Sequence, residues 1–105
     1  MSEDAHVPGL DLVTEGLADL ADGRRTALAL LVMVGAPRLR GLGFAIPAPT
    51  LDDSAEHCLY DLLAKTHGSD AHARYNALIR RLVSCERSLE RARAQRLRAA
   101  RDDAH

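Results

Sequence analysis

The stretch YNALIRRLVSCERSLERA, Tyr75 to Ala92, decides how this chain folds. Its apolar residues Tyr75, Leu78, Leu82, Cys85, Leu89 and Ala92 recur in steps of three and four. At about 100° per residue these positions gather on one narrow seam of an α-helix. Arg80, Arg87, Arg91 and Arg98 fall on the opposite side in a nearly straight row. One helix therefore carries an apolar strip to bury and a cationic strip to display, which is the pattern of an interaction element.

Working outward, Asp70 caps this last helix, which is expected to run to about Arg101. Before it, Thr50 reads as the N-cap of another helix, with Asp52, Asp53 and Glu56 in a first turn that favours negative charge. That helix extends to about Thr66 with the face Leu51, Ala55, Leu59, Leu62 and Leu63, and Gly68 ends it. The short turn His67 to Asp70 makes the two an antiparallel αα-hairpin over residues 50–101. Residues 10–43 hold the N-terminal helices. One runs from Asp11 to Asp22, with Leu10, Val13, Leu17 and Leu20 on its apolar face. The next, Thr26 to Val34, is apolar on every side and so belongs at the buried centre. A short helical turn starts at Pro37 and ends at Gly41 and Gly43. Phe44 to Pro49 is a connector; residues 1–9 are a flexible tail, and residues 102–105 a second one. The fold class is all-α: a single small helical bundle with a C-terminal antiparallel hairpin and a long Arg-rich last helix.

The hairpin's arms differ in length. About 15 residues face about 31, or roughly 22 and 46 Å. The shorter helix should cover the longer only to about Glu86, leaving Leu89 and Leu97 to find another surface. The acidic first helix is one candidate and a second protein is another. Arg93 and Arg96 then fall on the seam side, so packing is expected to end near Ala92 with a fraying tail beyond.

The chain has 105 residues, enough for one domain. Its only aromatics are Phe44, Tyr60 and Tyr75, so Leu, Val, Ala and Met must build the core. Either they suffice, or a partner or self-association completes the burial. The net charge of −1 conceals segregation. Residues 1–23 contain six acids and no Lys or Arg, whereas residues 71–101 contain nine Arg against Glu86 and Glu90. Such asymmetry suits internal complementarity or an anionic partner for the last helix. The acidic start lacks the basic flank of a signal peptide. The longest apolar run, Ala27 to Val34, falls far short of a membrane span. The expected compartment is the cytoplasm, without membrane contact.

The sequence offers no catalytic, cofactor-binding or metal-binding signature. His57 and Cys58 are adjacent and point about 100° apart on a helix, and the other histidines match no zinc spacing. Cys58 and Cys85 lie too far apart along the hairpin for a disulfide and read as small core residues. Asp52 and Asp53 are explained as first-turn residues, and Gly41-Leu42-Gly43 ends a helix instead of opening a phosphate loop. A helix-turn-helix fits poorly, because Arg74 stands where an apolar residue is wanted and the second helix is too long.

Two pairs of stretches carry a family likeness: Gly16–Gly23 with Ala36–Gly43, and His57–Leu63 with Arg74–Glu86. Together they resemble MenA-type antitoxins, small helical proteins of GC-rich bacteria that accompany nucleotidyltransferase-like toxins. The likeness spans roughly residues 12–90. It implies a non-enzymatic protein that binds and silences a toxin which adds nucleotides to tRNA ends, and it carries over no functional residue. The partner-binding residues expected from the pattern are Arg80, Arg87, Leu89, Arg91 and Arg98; the core seam is Tyr75, Leu78, Leu82 and Cys85. The alternatives are a nucleic-acid-associated regulator using the Arg row on phosphates, a homo-oligomer pairing through the seam, and a row that is only a solvated face.

Overall fold

The structure is a computed structural model that describes residues 7–48, 51 and 53–103. Its helices are α1 (Leu10–Ala21), α2 (Ala27–Val34), α3 (Ala36–Gly41), α4 (Ala55–His67) and α5 (Ala71–Asp103), with a short 3₁₀ turn, Gly68–Asp70, between the last two. No strand occurs among the described residues. The molecule measures 56 × 26 × 24 Å, and α5 sets the long dimension.

The core is built around α2. Its Ala29, Leu30, Leu31 and Val32 are all buried. Around them lie Val13 from α1, Leu39 from α3, Leu59 and Leu63 from α4, and Leu82 and Cys85 from α5. Thr26 starts α2 correctly, because its Oγ1 accepts from the Ala29 N–H and donates to Asp19 of α1. The α1–α2 contact depends on Gly16, where a Cβ would overlap the Leu28 carbonyl and a Val32 methyl. Gly9 caps the start of α1 with φ 77°, and its bare Cα rests against the Arg81 carbonyl of α5. Val7 also packs on the core, so the last residues of the expected tail belong to the fold; residues 1–6 lie outside the described residues.

The αα-hairpin forms as expected. Tyr60 of α4 meets Tyr75 of α5 edge-on at 5.6 Å, and Gly68 (φ 57°) closes α4. Its start is later than the sequence suggested. Ser54, not Thr50, is the N-cap, accepting from the His57 N–H at 3.1 Å. Leu51 precedes the helix yet still packs against the core. Thr50 and Asp52 lie outside the described residues.

The helix α5 runs to Asp103, two residues past the expected end near Arg101, so Asp102 and Asp103 of the expected tail are helical, although Arg93 and every described side chain beyond it are exposed. Residues 93–101 are Ala, Arg, Gln and Leu, all strong helix formers. Cover of α5 does not come from α4 alone. The six-residue α3 lies beside α5, with Arg38 paired to Glu86 and Glu90, and Arg93 donating to the Gly41 carbonyl at 2.5 Å. Leu89 is therefore half-buried against the core. The connector also packs inward: Arg40 donates twice to the Ile46 carbonyl, at 2.9 and 3.2 Å, and Ile46 is buried.

Placing a methyl at Gly16 should force α1 and α2 apart. Gly16→Ala is expected to lower stability by about 1–3 kcal/mol, whereas Gly41→Ala, with open space at its Cα, should be neutral or slightly stabilising. Urea denaturation followed by circular dichroism compares the two.

Candidate interaction surface

The buried and displayed sides of α5 separate as the periodicity predicted. Leu82 and Cys85 are buried, and Tyr75, Leu78 and Leu89 are half-buried against the same core. Ala71 and Ile79 extend this face. The seam thus packs largely within the chain. Cys58 and Cys85 are free thiols. Burial, then Glu86 and Asp11, push the Cys85 thiol up, so it stays protonated and packs as an apolar side chain.

Arg80, Arg87, Arg91 and Arg98 are all exposed. Among the described residues none of them has a carboxylate within ion-pair distance; Arg91 only donates to the neighbouring Ser88 hydroxyl at 3.3 Å. The arginines on the flanks behave differently. Arg81 lies 3.9 Å from Asp11 of α1, and Arg93 is held by Gly41. The ridge is consequently a line of positive charge uncompensated among the described residues, while Arg81 and Arg93 beside it have partners in neighbouring elements.

Leu89, expected to be left uncovered, is half-buried against the core of its own chain. Leu97, one of two exposed large apolar residues among the described residues, is 55% exposed. It stands over a groove of about 450 Å³ floored by Pro37, Gly41, Leu42 and Ala94. Of the two leucines expected to overhang α4, Leu97 stays exposed, about two helical turns beyond Leu89. The missing information was the position of α3, too short to announce itself by periodicity.

Sequence reasoning also missed Glu86. Its side chain is 5% exposed, tucked against Gly35 at the α2–α3 junction and held by Arg38 at 3.4 Å. On the helical wheel it borders the seam, but only the fold brings Arg38 to it. Burial raises the Glu86 carboxyl pKa; Arg38 works against this and Glu90 adds to it. His57 sits between Asp53 and Asp61, at 3.6 and 3.2 Å, on the exposed side of α4. Among the described residues no three His, Cys, Asp or Glu side chains gather as a metal-holding group, and no helix is long and apolar enough to cross a membrane.

The chain matches no known protein-family model, no curated protein and no solved structure.

A carboxyl with a raised folded-state pKa binds its proton more tightly in the folded chain. Its stabilising contribution is complete below the ordinary glutamate value, about 4.3, and is lost as pH rises through the raised one. Glu86→Gln should remove that pH-dependent component while matching or exceeding the parent stability at neutral pH. Urea midpoints measured from acid to neutral pH test this; an unchanged pH profile would contradict it.

Proposed function

We propose that this chain is a non-enzymatic, cytoplasmic protein-interaction module, an antitoxin that binds and blocks a nucleotidyltransferase-like toxin. The observation that carries the reading is the ridge Arg80, Arg87, Arg91 and Arg98, without an ion-pair partner among the described residues, on a helix whose opposite side packs on the core as far as Leu89. A surface line of like charge costs self-repulsion unless a complementary partner uses it. An enzyme that transfers nucleotides commonly gathers carboxylates to hold Mg²⁺, and a cationic helix is the complement of such a site. The likeness to MenA-type antitoxins supports the same partner class. Blockade would then be steric and electrostatic, with Leu97 and its groove supplying apolar contact beside the charged ridge.

The same ridge also supports a second reading, in which it lies on nucleic-acid phosphates. Salt separates the two. Phosphate binding weakens log-linearly with salt as counterions are released, whereas a protein complex with an apolar contact weakens less.

Charge reversal at Arg80, Arg87 and Arg91 to Glu should leave the circular dichroism spectrum unchanged, since all three are exposed. Affinity for a nucleotidyltransferase-like toxin should fall about tenfold or more, together with rescue in co-expression. Undiminished binding and rescue by the triple variant would sink the reading.

A further inference from the structure

The exposed face of α1 carries a pattern that mirrors the ridge on α5. Asp11, Glu15, Ala18 and Asp22 are exposed and separated by four, three and four residues. Arg87, Arg91, Ala94 and Arg98 are exposed and separated by the same intervals. The order of chemistry is the same in both: charge, charge, alanine, charge, with opposite sign. Intervals of four and three are those at which one helix presents a straight seam to another. Each stretch covers roughly 16 Å of helix.

These two faces do not meet within one chain. Among the described residues the ion pair between α1 and α5 is Asp11 with Arg81, which precedes Arg87. Asp22 is paired locally with Arg24 at 2.9 Å. Glu15, at the middle of the acidic row, has no hydrogen-bond or ion-pair partner among the described residues.

We propose that α1 of one copy of this chain docks along α5 of a second copy. Asp11, Glu15 and Asp22 then face Arg87, Arg91 and Arg98, while Ala18 faces Ala94. The two alanines let the helix backbones approach, and the net charge of −1 leaves little long-range repulsion between copies. Each copy offers one acidic and one cationic face, so a twofold dimer forms the contact twice. Exposed ion pairs are individually weak, which places the association on the order of 10 μM to 1 mM. The proposal rests on the reading of the Arg ridge as an interaction surface, and self-association would mask that ridge until another acidic partner competes for it.

Sedimentation equilibrium of the full chain alone tests it without any toxin, so failure of the antitoxin reading does not affect the outcome. Dimers are expected at low salt, with association weakened about tenfold or more at roughly 0.5 M salt. Glu15→Arg and Arg91→Glu, each alone, should weaken association about tenfold. The two changes in one chain should restore it, because both contacts are then reversed in sign. Glu15→Gln, which only removes the charge, should give a smaller loss. Circular dichroism checks that each variant keeps its helices. A chain that stays monomeric at about 1 mM in low salt overturns the proposal, as does association that both single reversals leave unchanged, or a double reversal no stronger than the singles.

Discussion

Everything in this fold is arranged around one constraint: α2 has no polar side. Eight consecutive apolar residues form a helix that cannot show any face to water at low cost. Burial of a single Leu or Val side chain contributes about 1.5–3 kcal/mol, so Leu30, Leu31 and Val32 together supply a large part of the driving force. Each of the other helices lends an apolar stripe to that enclosure, and each can then spend its opposite side on charge. The ridge on α5 and the acidic row on α1 are available because the inward sides of those helices are committed to α2.

The short helix α3 converts this enclosure into a specific register. It follows α2 immediately, buries Ala36 and Leu39, and turns Arg38 towards Glu86 and Glu90. Placing a carboxylate in the interior opposes stability, and the guanidinium only partly offsets the cost. The pairing nevertheless distinguishes one alignment of α3 on α5 from its neighbours, because a slip of one residue would leave Glu86 buried without its cation. Gly35 makes room for that carboxylate.

The legible parts of the structure were those written as long periodic patterns. The seam from Tyr75 to Leu89, the buried α2 and the hairpin turn follow directly from spacing and capping chemistry. Helix starts were less legible where several capping residues compete: Thr50, Asp52, Asp53 and Ser54 crowd one segment, and Ser54 is the one whose side chain accepts from the first turn of α4. The cover over Leu89 and the burial of Glu86 depend on residues some fifty positions upstream in sequence. No local pattern encodes such a contact. The candidate surface was partly legible: the arginine ridge came from periodicity and the overhanging Leu97 from helix lengths, but the partial cover of Leu89 required knowing where α3 lies.

The order of the elements has a consequence during synthesis. Translation delivers α2 early, whereas the α4 and α5 residues that enclose it, from Leu59 to Leu89, are made later. Until then the nascent chain holds an apolar helix screened only by α1 and the short α3. The enclosing contacts span long sequence separations, and such contacts close late because the intervening loop must first be ordered. A ribosome-bound intermediate of this protein is therefore a sticky species whose solubility falls to the acidic α1 and to whatever binds it before the last helix emerges.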